Sequence, residues 1–358
     1  MTTRTGPTHK TVRLATFGLV ALGVALPLTP LRGQQGADGQ GRFKAGVELV
    51  NVTATVSDRN GRFVPGLTAD DFVVYEDDAR QTVSQFNAER VPVSLGIALD
   101  TSGSMMGEKI EAARAALNRF LFDLLDRDDE TFLYQFSDAP FLLQDWTIDR
   151  QGIGRQLGRI QPHGGTAIYD TLMDALPLTT GGRHAKKALL LISDGNDTSS
   201  AATVSDVKAR LRQTEVLLYA IGIDGDDERM PRAPLRPPQP RRPPLPRSPF
   251  PPGPPRPWFP QASPQFRPSS QWPQGNDQHV NATALRELTD DSGGRTEIVR
   301  GPMDLAPATA SIADELSKQY YLGYTSTNGA HDGRWRSIHV ELRDPAYRVR
   351  ARRGYIAN

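Results

Sequence analysis

Hydrophobic and polar residues alternate near both ends of the chain. Between residues 47 and 86 the alternation is clear in VTATV and FVVYE, and an Asn-Gly turn signal lies between these two runs. Such a pattern is typical of antiparallel strands that bury one face. Alternation returns near the C-terminus in YYLGYTST and GRWRSIHVELRD. Because about 40 residues of strand cannot bury a core alone, we expect the two ends to pair in a small accessory β-sandwich.

The pattern changes at Val91 to continuous apolar runs separated by amphipathic helices. VSLGIALD, residues 93–100, is almost wholly apolar and is followed by EKIEAARAALNRFLFDLL, whose apolar residues recur at helical spacing. Further apolar runs are TFLYQFSD, FLLQDW, KALLLISDG and VLLYAIGID, with helical patterns near residues 153–160, 167–176 and 204–212. Strands that alternate with helices predict an α/β fold with a doubly wound, mostly parallel sheet.

A segment rich in proline and arginine, residues 229–276, interrupts this pattern. Between Pro231 and Gly275 the chain has 18 of its 29 prolines, seven arginines and no acidic residue. Such a composition buries too little apolar surface to offset the entropy of ordering, so we expect a disordered insertion. A helix at 281–294 and a strand at 295–299 resume the α/β pattern. We expect the basic insertion to contact anionic components of the cell envelope, or to be simply a tolerated solvated loop.

The first 33 residues have the features of a secretory signal peptide. Four basic residues and no acidic residue accompany the apolar run LATFGLVALGVALPL, residues 14–28. This run suits a signal-peptide core and is shorter than the roughly 20 residues that span a bilayer. The sequence therefore predicts a secreted or periplasmic protein, with an uncleaved membrane anchor as the alternative. Nothing else in the chain is long and apolar enough to span a membrane.

These patterns give a predicted organisation in five parts. They are a signal peptide (1–33), a linker (34–46), an N-terminal β segment (47–90), an α/β domain (91–316) with the insertion 229–276, and a C-terminal β segment (317–358). The chain has 358 residues and no cysteine, which excludes disulfides, thiolate zinc sites and cysteine nucleophiles. Its net charge is +1, which becomes −3 without residues 1–33, and we expect no nucleic acid partner.

Three predicted loops are rich in hydroxyl and carboxylate oxygens. They are Asp100-Thr101-Ser102-Gly103-Ser104, His163-Gly164-Gly165-Thr166 and Ser193-Asp194-Gly195-Asn196-Asp197. Loops that follow parallel strands meet at the carboxyl edge of the sheet, so we expect these three to lie together. Oxygen ligands without imidazole or thiolate suit a hard divalent cation, Mg²⁺ first, with Mn²⁺ or Ca²⁺ as alternatives.

Five residues of these loops are the candidate metal ligands. Ser102 and Ser104 stand two apart and can face one point, and Thr166 can add a third hydroxyl. Asp100 and Asp194 supply negative charge, directly or through water. Mg²⁺ takes six oxygen ligands and these five side chains do not fill all its positions, so we expect the ion to accept a carboxylate from outside the chain as its last ligand. That is a mechanism of binding and not of catalysis.

The order of these loops resembles the von Willebrand factor type A domain. Asp-x-Ser-x-Ser after an apolar strand, Thr after Gly-Gly, and Ser-Asp-Gly after a later strand are similar to its metal-ion-dependent adhesion site, and the resemblance covers Val91 to Leu316 outside the insertion. The flanking strands resemble exported bacterial proteins related to this family. The resemblance implies that the serines and the threonine bind the metal and that the aspartates act mainly through water. It does not identify the partner, because members of the family bind very different proteins; from the ligand set we expect a protein that presents an Asp or Glu carboxylate.

Several alternatives compete with a metal-dependent binding function. The first loop could only cap the helix that follows, and Asp197 and His163 are more typical of solvated loop residues than of ligands. An aspartyl-phosphate phosphatase would need a second acid where Ser102 stands, and no histidine has the surroundings of a catalytic triad. A structural envelope protein, in which the metal only stabilises the fold, is the remaining alternative. We therefore expect no enzymatic activity.

Overall fold

The computed structural model describes residues 49–224 and 281–357. The strands are β1 (Leu49–Ser57), β2 (Phe72–Glu76), β3 (Ala79–Gln81), β4 (Val83–Asn87), β5 (Val93–Asp100), β6 (Glu130–Phe136), β7 (Pro140–Thr147), β8 (Lys186–Ser193), β9 (Val216–Ile223), β10 (Thr296–Val299), β11 (Tyr320–Thr325), β12 (Trp335–Leu342), β13 (Arg348–Arg350) and β14 (Gly354–Ile356). The helices are α1 (Glu108–Arg119), α2 (Arg150–Leu157), α3 (Ile168–Thr180), α4 (Val204–Leu211), α5 (Ala282–Ser292) and α6 (Leu305–Lys318). The predicted signal peptide 1–33, linker 34–46 and insertion 229–276 lie outside the described residues.

A six-stranded sheet forms the centre, in the order β10-β9-β8-β5-β6-β7. All neighbouring strands are parallel except β7, which runs antiparallel to β6. Every residue of β5 is buried, as its continuous apolar run predicts. The predicted α/β class with a mostly parallel sheet is therefore confirmed.

Helices cover both faces of this sheet. Leu95, Ile97 and Leu99 of β5 pack in one core with α1, α2 and α6, whereas Ala98 packs in a second core with α3, α4 and α5. This division follows from the strand geometry, because successive side chains point to opposite faces. The helical segment predicted after β5 has two parts. Its α-helical part, α1, ends at Arg119, and one π-helical turn follows over Phe120–Leu124.

Strands from the two ends of the chain pair directly. One four-stranded sheet has the order β13-β1-β11-β4, and another has the order β14-β12-β2-β3. Val52 of β1 lies opposite Leu322 of β11, and Val74 of β2 lies opposite Val340 of β12. These four residues are buried in one hydrophobic cluster to which both sheets contribute. The alternation near both chain ends is thus explained by strands that share a buried face.

A polar cluster around Glu315 of α6 connects the central sheet to β1. The Glu315 carboxylate accepts hydrogen bonds from the Thr55 hydroxyl (3.1 Å) and the Tyr219 hydroxyl (2.8 Å), and it pairs with Arg350. Gln319 donates from its side-chain amide to Thr55 and to Tyr219, at 2.9 Å each. Because β1, β9 and α6 all contribute, this cluster fixes how the elements pack.

The described part of the chain resumes after residue 280 within the same central sheet. Strand β9 ends at Ile223, and β10, which follows α5, pairs with β9 in parallel. The two described ranges thus contribute neighbouring strands, β9 and β10, to one sheet. Within residues 49–224 and 281–357, none of the helices has the length and apolar character needed to cross a bilayer.

The tight contact between β5 and its neighbours gives a testable prediction at Gly96. A β-carbon at this position would lie 2.2 Å from Phe132 Cζ and 2.7 Å from Leu189 Cδ1. Since Phe132 and Leu189 are fully buried, we expect Gly96→Ala to lower the free energy of unfolding by about 1–3 kcal/mol in urea titrations. The control is Gly329→Ala, where a β-carbon would meet no atom within 4 Å. Equal stability of the two variants would contradict this packing.

Candidate metal centre

The centre is built where β5 and β8 end. These strands pair in parallel with Leu99 opposite Ile192, which places Asp100 beside Ser193. The Ser193 hydroxyl donates to Asp100 Oδ2 at 2.5 Å, and the backbone N–H of Ser102 donates to Asp100 Oδ1 at 2.8 Å. Asp100 has no exposed surface, so these two donors replace the water that would otherwise solvate its carboxylate.

The surroundings of Asp100 favour its protonated form. Burial raises the pKa of Asp100 to about 6, and the negative charge of Asp194 acts in the same direction. Hydrogen bonds from Ser193 and Ser102 oppose this shift, because they stabilise the charged form. A cation beside Asp100 would stabilise the charged form of its carboxylate, which burial and Asp194 disfavour.

Three oxygen-bearing side chains beside Asp100 are joined by successive hydrogen bonds. Ser102 Oγ lies 3.0 Å from Ser104 Oγ, and Ser104 donates to Asp194 Oδ1 at 2.7 Å. Ser102 and Asp194 are buried, with 1% and 2% of their surface exposed. Adjacent ligands of an octahedral ion at about 2.1 Å are about 3 Å apart, so the spacing of these oxygens matches that of neighbouring ligands of Mg²⁺.

Thr166 reaches the same edge from the second loop. The backbone N–H of Gly103 donates to the Gly164 carbonyl oxygen at 3.0 Å, which joins the first two loops. Thr166 is 5% exposed, and its hydroxyl oxygen lies 3.6 Å from the position that a β-carbon would take at Gly195. The Thr166 hydroxyl therefore lies near the backbone of the third loop, one residue after Asp194.

The second loop depends on the two glycines before Thr166. Gly164 has a positive φ of 74°, and a β-carbon there would lie 2.2 Å from Asp138 Oδ2. Gly165 donates from its backbone N–H to Asp138 Oδ1 at 2.7 Å. The glycines therefore allow Asp138, in the turn between β6 and β7, to hold this loop close to the sheet edge.

Of the five predicted ligands, Asp100, Ser102, Ser104 and Asp194 are linked by hydrogen bonds, and Thr166 lies on the neighbouring loop. The other loop residues have different positions. The His163 side chain is exposed with Nδ1 2.9 Å from the Gln161 carbonyl oxygen, whereas Asp197 accepts from the Tyr169 backbone N–H at 3.0 Å, at the start of α3. Met105 is fully buried beneath the loop, and Met106 is 60% exposed beside it.

Sequence analysis did not assign three further residues of the centre. Ser193 lies within the Ser-Asp-Gly motif, but nothing in that motif indicates a hydrogen bond to Asp100. Asp138 lies in a turn with no recognisable pattern, and its contact with Gly165 depends on how the loops fold together. Lys109 lies in the first turn of α1, and its Nζ atom is 2.5 Å from Asp194 Oδ2.

The donor chemistry of the centre fits a hard divalent ion. Three hydroxyls and two carboxylates provide only oxygen atoms, which Mg²⁺, Mn²⁺ and Ca²⁺ prefer. In the part of the chain that the structure describes, no group of three or more His, Cys, Asp or Glu side chains is placed to hold a metal. A site with hydroxyls as its main ligands is compatible with that finding, because serine and threonine are not among those four residue types.

Comparison with known proteins supports the resemblance at the level of the domain. Residues 95–196 match the family model of the von Willebrand factor type A domain. Inter-alpha-trypsin inhibitor heavy chain H2 of Mus musculus is 25% identical over 158 residues, which cover 39% of this chain and 16% of that protein. An uncharacterized protein of Synechocystis is 29% identical over 111 residues, which cover 30% of this chain and 26% of that protein.

The chain thus spans only about a sixth of the mouse relative. Among solved structures, the conserved hypothetical protein BatB of Bacteroides thetaiotaomicron is similar, with a TM-score of 0.43 and 21% sequence identity. That alignment covers 63% of this chain and 98% of BatB.

The hydrogen bond from Ser193 to Asp100 leads to a stability prediction. We expect Ser193→Ala to lower the free energy of unfolding of the metal-free protein by about 1–3 kcal/mol, because it leaves a buried carboxylate oxygen without a donor. Ser317→Ala is the control, since its hydroxyl donates to the Asp314 carbonyl oxygen in an exposed position. Urea unfolding in the presence of a chelator measures both variants. Equal free energies for the two would contradict the assigned role of Ser193.

Proposed function

We propose that this protein is a non-catalytic binding module that attaches to a partner protein through a divalent metal ion. Ser102, Ser104 and Thr166 would bind the ion through their hydroxyl oxygens, with Mg²⁺ as the expected ion and Mn²⁺ or Ca²⁺ as substitutes. The observation that carries this proposal is the 3.0 Å and 2.7 Å spacing of the oxygens of Ser102, Ser104 and Asp194. The match of residues 95–196 to the type A domain supports it.

The two aspartates differ in what their surroundings allow. Each oxygen of Asp100 already accepts a hydrogen bond, from the Ser102 backbone or from Ser193, which favours a contact through water over direct ligation. Asp194 accepts from Ser104 with Oδ1 and pairs with Lys109 through Oδ2, so one of its oxygens adjoins the serine hydroxyls. We expect both carboxylates to balance the charge of the ion without filling all its ligand positions.

The partner in this proposal presents an Asp or Glu carboxylate. A bound dication would supply a positive charge at the rim of the sheet edge, where exposed Met106 adjoins the ligand loop. Carboxylate oxygens are preferred ligands of hard cations, so an acidic side chain from a second protein suits the last position. Catalysis is not required, because the ion would act only as a link between two sets of oxygen ligands.

Export from the cytoplasm belongs to the same proposal. The apolar run at residues 14–28, after basic residues, supports a secreted or periplasmic protein. We propose the domain boundaries 47–90, 91–316 and 317–358 for the exported chain. In that compartment the partner would be a protein of the cell envelope or of the exterior.

A pull-down from envelope extract tests the binding function. We expect the full chain to retain a set of proteins in Mg²⁺ and to lose it in chelator, because the ion completes the binding surface. The double variant Ser102→Ala with Ser104→Ala should lose the same proteins even in Mg²⁺, with its circular dichroism spectrum preserved. If the same proteins are retained in chelator and by the double variant, the proposal is wrong.

The control is the double variant Ser205→Ala with Ser317→Ala, which removes one hydroxyl from α4 and one from α6, away from the ligand loops. It should retain the same proteins as the wild type. This comparison also distinguishes a purely structural metal. If the metal only stabilises the fold, the Ser102/Ser104 variant will unfold at lower urea concentration and will keep its partners when folded.

The raised pKa of Asp100 predicts how metal binding depends on pH. Because its pKa in the folded, metal-free protein is about 6, protons compete with the ion as the pH falls below 6. We expect the Mg²⁺ affinity to fall by up to about tenfold between pH 6 and pH 5, and to be nearly constant above pH 7. The same group stabilises the metal-free fold at low pH and loses that contribution as the pH rises through about 6.

Titration calorimetry with Mg²⁺ at several pH values measures this dependence. The control is Asp100→Asn, which cannot titrate and should bind the ion more weakly at pH 7, with a flatter pH profile. Equal pH profiles for the wild type and this variant would show that Asp100 does not couple to the ion.

A further inference from the structure

Lys109 places a positive charge directly on the candidate metal centre. Its Nζ atom lies 2.5 Å from Asp194 Oδ2, while Asp194 Oδ1 accepts the hydrogen bond from Ser104. The Asp194 side chain has no exposed surface, and 26% of the Lys109 side chain is exposed. One ammonium group therefore neutralises a buried carboxylate that belongs to the candidate ligand set.

The helix itself does not favour a lysine at this position. Lys109 is the second residue of α1, where unpaired backbone N–H groups give the helix end a partial positive charge. A positive side chain is disfavoured there, and Glu108 and Glu111 are the residues of the first turn that suit it. The contact with Asp194 gives Lys109 a compensating interaction that the helix does not provide.

We propose that Lys109 is a tethered cation that competes with the divalent metal for Asp194. In the metal-free protein its ammonium group neutralises Asp194 and holds the start of α1 against the loop after β8. When the ion binds, the two positive charges repel across a few ångströms of a largely buried centre. Lys109 thereby sets the ion concentration at which the centre fills. This inference rests on the proposed metal-dependent function.

The geometry allows Lys109 to leave the carboxylate. Its side chain is partly exposed and flexible, so the ammonium group can move into solvent when an ion replaces it. The Asp194 carboxylate cannot move into solvent with the lysine, because its side chain is buried and accepts a hydrogen bond from Ser104. Removal of the lysine charge should leave Asp194 without a counterion and increase the affinity of the centre for any cation.

The test compares Lys109→Met with the wild-type chain in two measurements. Titration calorimetry with Mg²⁺ and with Mn²⁺ should give an affinity at least about tenfold higher for the variant, since one repelling charge is gone. Urea unfolding in chelator should give a lower midpoint for the variant, and added Mg²⁺ should restore it. Lys109→Arg keeps the charge and should bind with nearly wild-type affinity.

The matched control is Lys318→Met, which removes an exposed pair with Asp314 at the end of α6. It should change neither the metal affinity nor the effect of Mg²⁺ on the unfolding midpoint. A Lys109→Met protein that folds only with added ion would support the inference, because the cation then replaces the lysine.

Two outcomes would overturn the inference and can be told apart. If the wild type binds Mg²⁺ and Lys109→Met binds it equally or more weakly, Lys109 does not compete with the ion, and the proposed function is unaffected. If neither protein binds Mg²⁺ or Mn²⁺, both the inference and the proposed metal-dependent function are wrong.

Discussion

The parallel, in-register pairing of β5 with β8 is the constraint on which the candidate centre depends. It places Leu99 opposite Ile192, so both strands end at the same level of the sheet and Asp100 lies beside Ser193. Since β5 is buried along its whole length, the carboxylate at its end cannot be solvated by bulk water. Protein donors must take that role, and the hydroxyl of Ser193 is one of them. A shift of one residue between the two strands would separate this pair.

The candidate centre limits the free-energy cost of buried charge, because most of its candidate ligands are neutral hydroxyl groups. An unpaired buried carboxylate is strongly disfavoured, and two neighbouring ones repel each other. Asp100 responds with a raised pKa, whereas Asp194 is paired with Lys109. Ser102 and Ser104 add oxygen atoms without adding charge. This balance of charge and neutral oxygen atoms is compatible with the proposed binding of a dication.

Backbone contacts hold the loops that carry these side chains. Gly103 donates to the Gly164 carbonyl oxygen, and Asp138 accepts from Gly165, so the first two loops and the turn after β6 support one another. Away from these loops, the Glu315 cluster connects α6 to β1 and β9. Strands from both chain ends complete the described structure. Of these, β1 pairs with β11 more than 200 residues away in the sequence, where Val52 lies opposite Leu322.

The sequence by itself determined the fold class and most helix and strand positions, because periodicity is a local property. From the chemistry of the strand ends it predicted five candidate ligands. It also predicted that the three loops meet, since parallel strands share a carboxyl edge. Only the tertiary structure decided that Lys109 contacts Asp194 and that Ser193 contacts Asp100, 85 and 93 residues apart along the chain. Such contacts depend on strand register and on the directions of side chains across loops. No local pattern encodes those directions, because they are fixed only when distant segments pack together.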